Sequence, residues 1–196
     1  GREDTHELPN SLTWGPDGWL YGMSGVFNNA KVKDPASGKE YEFTCAIWRY
    51  HPPTMRFELF AEGTSNPWGL DYDQYGNFFA TACVIPHFFH IIPGARYERQ
   101  AGQHFNPYTY DDIKTIADHR HYTGNQWNDG NRRQSDTLGG GHAHAGCMIY
   151  QGGAWPEKYR GAVFMNNIHG NRMNVDLLEA SGSGFVAHHG PDFLFA

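Results

Sequence analysis

Two His-x-His pairs, His119-Arg120-His121 and His142-Ala143-His144, are the residues of this chain whose type and spacing could do chemistry. In an extended backbone alternate side chains share a face, so each pair presents two imidazoles side by side. Neutral imidazole ligates zinc, copper, iron or nickel, and four such groups meeting at one face would hold a transition metal. A blander reading stands beside this one. His119 and His121 lie in a polar stretch where histidines are ordinary surface residues. The run Gly139-Gly140-Gly141 ahead of His142 predicts a loop across which His142 and His144 merely hydrogen-bond.

Strands must position these groups. The chain has 196 residues, 24 of them glycine and 15% aromatic, and lacks long Leu/Ala/Glu/Lys stretches, a balance that predicts a mainly β domain. A net charge of −6 excludes the basic footprint of a nucleic-acid binder, and Arg96/Arg99 and Arg132/Arg133 read as solvated loop charges. No run approaches the ~20 apolar residues of a membrane span, and the first residues lack signal-peptide order, so no membrane contact is expected of this segment. Cys45, Cys83 and Cys147 each sit in an apolar, strand-like run and read as buried small hydrophobes.

Along the chain, Ser11–Trp14 and Trp19–Met23 flank Gly15-Pro16-Asp17-Gly18, whose Pro presets φ and whose Asp-Gly supplies a positive φ, the chemistry of a hairpin. Residues 28–39 are expected to form an exposed loop, with Asp34-Pro35 and Ser37-Gly38 as breakers. Strands are expected at Tyr41–Tyr50, Arg56–Phe60, Asn66–Asp73, Asn77–Ala82 and His87–Ile92, and again at Ala145–Tyr150, Gly161–Asn167, Arg172–Leu178 and Phe185–His188. Gly18-Trp19-Leu20-Tyr21, Gly76-Asn77-Phe78-Phe79 and Gly161-Ala162-Val163-Phe164 repeat a turn glycine, one free position and two large apolar residues. Their separation exceeds the ~40–50 residues of ordinary propeller repeats, which calls for insertions between units. The obvious insertion is 93–141, polar and lid-like. Within it Thr109-Tyr110-Asp111-Asp112 resembles a capping box, and Ile113, Ile116 and Ala117 follow helical spacing, predicting one short helix. The expected fold is thus all-β: a partial β-propeller of about three four-stranded blades with a long, partly helical insertion, residues 1–196 forming one segment of a longer chain.

Asn66-Pro67-Trp68-Gly69-Leu70, Gly15-Pro16-Asp17-Gly18-Trp19-Leu20-Tyr21 and Ile149-Tyr150-Gln151-Gly152 through Trp155 to Phe164 resemble the six-bladed propellers of the soluble glucose/sorbosone (quinoprotein) dehydrogenase superfamily. Over its whole length the chain is similar to the bacterial membrane-bound dehydrogenase family, whose members often carry a c-type haem module further on. The resemblance implies an oxidoreductase acting on a sugar or related alcohol, using pyrroloquinoline quinone with Ca²⁺ and passing electrons to a haem outside this segment. It also implies a periplasmic or extracellular location, with any anchor in another segment.

Carried onto this sequence, the resemblance makes His6 the catalytic base and Asn66 a quinone contact, with Gln151, His169 and Arg172 at further cofactor positions. Ser65 and Gln151 stand where the family has Arg and Lys, which removes charge-assisted bonds to the quinone's carboxylates. His87-Phe88-Phe89-His90 replaces an acidic stretch near the family's Ca²⁺ site, and imidazole suits a transition metal better than Ca²⁺. Two alternatives therefore stand beside the quinone enzyme. One is a transition-metal site on His119, His121, His142 and His144. The other is a non-catalytic propeller that binds glycan or protein through exposed aromatics, with Trp127 the best candidate platform. Asp71 and Asp73 share a strand face, where they act as paired carboxylates or satisfy backbone donors.

Overall fold

The computed structural model describes residues 7–64, 66–83, 87–99, 101–105, 111–121 and 143–196. Three antiparallel sheets carry the fold. The first has the order β1 (Asn10–Trp14), β2 (Leu20–Ser24), β5 (Ala46–His51), β6 (Arg56–Glu62), with β3 (Ala30–Lys33) and β4 (Glu40–Phe43) forming a separate hairpin between β2 and β5. The second is β7 (Pro67–Tyr72), β8 (Phe78–Ala82), β9 (Phe88–Ile91). The third is β10 (His144–Ile149), β11 (Val163–Asn167), β12 (Arg172–Ser181), β13 (Gly184–His189), with β14 (Leu194–Phe195) pairing the first residues of β12.

The first strands of the three sheets lie side by side. Thr13 Oγ1 of β1 donates to Leu70 O of β7 at 3.2 Å, and the backbone N–H of Ile149 in β10 donates to the Asp71 carboxylate of β7 at 2.7 Å. Meanders fanned around adjacent first strands are propeller blades, so the fold is an all-β partial propeller of about three blades. Among the described residues no helix is long and apolar enough to cross a membrane.

The repeated glycines close equivalent turns. Gly18, Gly76 and Gly161 have φ of 79°, 82° and 77°, and each stands just before the second strand of its blade, β2, β8 or β11. That left-handed backbone is one only glycine adopts without penalty. In the second and third blades the apolar pair after the glycine is buried on both faces of its strand, whereas Leu20 of the first is half-buried beside the buried Tyr21. In β8, Phe78 and Ala80 face the first blade with Tyr21, Ile47 and Phe60, while Phe79 faces the third with Val163 and Met165. Glycine also lets two blades approach. A Cβ on Gly69 would lie 2.4 Å from the Gly146 carbonyl carbon in β10. Gly69→Ala is therefore expected to wedge the second and third blades apart at a cost of about 1–3 kcal/mol, read as a lower midpoint in thermal denaturation.

Three local expectations are corrected. Residues 28–39 are not simply a loop: Ala30–Lys33 is β3, and the breakers make its turn, with Asp34 N–H donating to Lys39 O at 2.8 Å. The alternation of outward Lys31 and Lys33 with inward Ala30 and Val32 marks a half-buried strand whose charges disguise it. The stretch 41–50 is two strands, broken at Cys45 with φ 49°. The expected helix is absent from the described part of its span. Thr109 and Tyr110 lie outside the described residues, and residues 111–121 run extended, because Ile113 hydrogen-bonds Arg96 and Glu98 while Ile116 bridges Phe88 of β9 and Ala187 of β13. Of the cysteines, Cys45 is buried and its thiol is pushed up to about 12 by burial, whereas Cys83 and Cys147 are partly exposed by surface area.

Candidate metal centre

The extended segment 111–121 is a strap between the outer strands of the second and third blades, and it delivers His119 and His121 to the space between them. Asp118 N–H donates to Ala187 O at 3.1 Å, so the chain leaves β13 in a fixed direction just ahead of the His-x-His pair. His87 arrives from the residue before β9, and Asp176 from the middle of β12, where it pairs with Val163 and His189. One ligand atom from each of His87, His119, His121 and Asp176 lies within 4.8 Å of the other three.

The spacings fit a coordination shell. His87 Nε2 is 3.1 Å from Asp176 Oδ2; His119 Nε2 and His121 Nε2 are 3.2 and 3.6 Å from Oδ1, and 3.2 Å from each other. A tetrahedral ion with bonds of about 2.0–2.1 Å separates its ligands by about 3.3–3.4 Å. Two imidazole Nε2 atoms at 3.2 Å cannot both carry a proton directed at the other, so at least one lone pair points into the cluster.

The electrostatics favour a cation. Burial opposes ionisation of Asp176, but hydrogen bonds from His119, His121 and His87 outweigh it and hold the carboxyl well below its usual range. Burial, then the neighbouring His87, pushes His121 down to about 4, which leaves its lone pair available. Burial also works against a charged His119, yet Asp176 and Asp118 together raise its pKa. An ion here would compete with the proton that Asp176 and Asp118 favour on His119.

An outer layer orients the ligands. His119 Nδ1 donates to Asp118 Oδ1 at 3.0 Å, turning Nε2 toward the centre, and Asp118 Oδ2 accepts from His188 Nδ1 at 2.6 Å. On the far side, Asp192 takes His189 Nε2 (3.2 Å), Asn174 Nδ2 (2.7 Å) and Arg172 Nη1 (2.9 Å), and the His189 ring packs on His119 and His121. Outer-shell carboxylates of this kind typically govern metal affinity by 10–100-fold. Asp118→Asn is expected to weaken metal binding by about that factor without changing the ligand set, as calorimetric titration would show.

The structure brings together His119 and His121, and places His144 beside them. The His144 ring is buried, 4.6 Å from His87 and 4.7 Å from His121, but lies outside the group of four ligands. His142 falls outside the described residues, as do His6 and Trp127. His87 and Asp176 are members of this group that the sequence did not single out as ligands. His87 stood in a motif read as suiting a transition metal better than Ca²⁺ but not named as a ligand, and Asp176 is one of two acidic residues in β12, buried between Val175 and Leu177 along the strand. An aspartate buried in a strand without a neighbouring turn is the one signal that could have marked it.

Of the quinone-contact positions, Gln151 lies apart from Asn66. Asn66 directly precedes β7, whereas Gln151 Nε2 donates to Tyr72 O at the opposite end of that strand. Arg172 is committed to Asp192 and to Gly170 O, and His169 is exposed on the turn between β11 and β12. Asp71 and Asp73 serve backbone donors, at Ile149 and Tyr72 and at Tyr75 and Asn77.

Among solved structures, the fold is similar to an oxidoreductase (glucose dehydrogenase) of Thermus thermophilus, with 20% identity and a TM-score of 0.58, over 98% of this chain and 54% of that one. It is similar also to the PQQ-bound form of aldose sugar dehydrogenase from Streptomyces coelicolor, with 16% identity and a TM-score of 0.56, over 96% of this chain and 50% of that one. The chain spans about half the length of these structures, and the likeness is one of fold alone, that of a β-propeller. No curated protein matches its sequence. From residue 1 to residue 195 it matches one family, and the chain belongs to it: the domain of unknown function DUF7133.

Proposed function

We propose that this chain forms part of a metal-dependent, dehydrogenase-like propeller acting on a sugar or related polyol, with a divalent first-row transition ion at His87, His119, His121 and Asp176. One observation carries the reading: three chain segments distant in sequence converge four ligand atoms at coordination spacing in a buried site between blades. A donor set of three imidazoles and one carboxylate suits zinc, iron, copper or nickel and is poor in the oxygens Ca²⁺ requires. Such an ion would supply a Lewis acid for a substrate hydroxyl or carbonyl oxygen only by accepting that oxygen as one ligand beyond these four, from the His119 side. The chain's own residues hold and orient the imidazoles, exclude water from three of the four ligands, and link His119 through Asp118 to the exposed His188.

The test is elemental analysis of full-length protein purified without added metal, followed by turnover assays with aldoses, polyols and an artificial electron acceptor. A stoichiometric transition metal and turnover abolished by chelation are expected. Turnover that needs added quinone and ignores chelation would move the assignment to a second reading, the quinone enzyme with a haem acceptor elsewhere in the parent protein and a periplasmic location. One observation favours that alternative. The Asn66 side-chain oxygen is buried at the head of β7 with no hydrogen-bond partner among the described residues. Against it stand Gln151 at the other end of β7 and Arg172 tied to Asp192.

A further inference from the structure

We propose that the cleft beside this centre selects a small anionic polyol, a sugar acid, over a neutral sugar; the inference rests on the metal-centre reading. A cavity of about 480 Å³ borders the strap, and its wall includes His87 and His119, two of the four ligands. That volume lies within the roughly 300–1,000 Å³ of small-molecule sites. His119 is the ligand that meets solvent, with 11% of its side chain exposed against 2% or less for the other three. A molecule in the cleft therefore reaches the centre from the His119 side.

Among the described residues, the charged groups on the wall are Glu98, Lys114, Asp118 and Arg120. Both acids are committed: Glu98 Oε1 accepts the Thr115 N–H at 3.2 Å, and Asp118 is held between His119 and His188. The Thr115 hydroxyl is spent on Phe88 O at 2.7 Å. Lys114 and Arg120 make no side-chain hydrogen bond or ion pair with any described residue, so among the described residues both cations of the wall are available to a ligand. With a divalent ion in place, the ion and these two cations outweigh the carboxylates of Glu98, Asp118 and Asp176, and the described lining of the cleft is net positive. A guanidinium takes a carboxylate through two parallel hydrogen bonds, and an ammonium adds a point charge. A sugar acid satisfies this wall with its carboxylate while its hydroxyls reach the ion, whereas a neutral sugar offers the hydroxyls alone.

Calorimetric titration of the full-length, zinc-loaded protein with D-glucuronate and with D-glucose tests the inference. Glucuronate is expected to bind at least about tenfold more tightly, the worth of one charge-assisted contact. Both positions are exposed, so the Lys114→Ala/Arg120→Ala double variant is expected to keep its thermal midpoint, its zinc stoichiometry and its affinity for glucose while losing the preference. Equal binding of the two sugars by the wild-type protein, or a preference that survives in the double variant, overturns the inference and leaves the metal centre standing. A protein that takes up no zinc overturns both.

Discussion

Asp176→Asn is expected to strip the protein of its metal, from stoichiometric content to background. The carboxylate is the one anion in a buried cluster of imidazoles, and it touches all three histidine ligands. Without it, a divalent ion would enter a low-dielectric site with no compensating charge, a cost that neutral imidazoles cannot offset. The amide keeps the shape and some hydrogen-bonding capacity, so the loss reads as electrostatic rather than as misfolding. Asp176→Ala removes both and is expected to destabilise the chain by about 3–5 kcal/mol, the usual consequence of breaking a buried charged pair. Metal analysis and thermal denaturation of the two variants separate these effects, and metal retained at full occupancy in Asp176→Asn would show that the imidazoles suffice.

Chelation should be nearly as consequential for the wild-type protein. The ion would join His87, the strap and β12, so its binding energy acts as a clamp between the second and third blades. At a free-ion concentration a hundredfold above its Kd, binding stabilises the folded state by about 2.7 kcal/mol. For a chain of this length that corresponds to roughly 5–10 °C in Tm, lost on adding a chelator. In His87→Ala the chelator is expected to change Tm little, since the clamp is already open. The pH dependence has a definite sign. Because Asp176 and Asp118 raise the His119 pKa, the proton holds its place to higher pH than on an ordinary histidine, and the ion must displace it. The chelator effect should therefore be full above that titration and shrink as pH falls through it; an effect that grows in acid would contradict the assigned ligands.

The recurrent turn with glycine at positive φ, the apolar pair after Gly18, Gly76 and Gly161, and the alternation within strands were legible because each is set by residues adjacent in the chain. Backbone sterics impose the first, and the pleat imposes the others. The same local logic failed where two periodicities competed. Ile113, Ile116 and Ala117 carry helical spacing, yet the strap is extended because β9 and β13 offer open backbone groups on either side of it. Charged Lys31 and Lys33 hid a strand for a related reason: one side of that hairpin faces water.

By itself the sequence determined an all-β chain of tandem meanders and a His-x-His pair able to turn two imidazoles the same way. Tertiary structure alone decided that His119 and His121 meet His87 and Asp176, with His144 beside the group and Gln151 and Arg172 engaged elsewhere. The reason is physical: strand and turn preferences are properties of a few neighbouring residues, whereas a coordination shell depends on which blade edges come to face each other. The packing of Phe79 and Phe88 against Val163 and Met165 settles that, and no spacing along the chain records it.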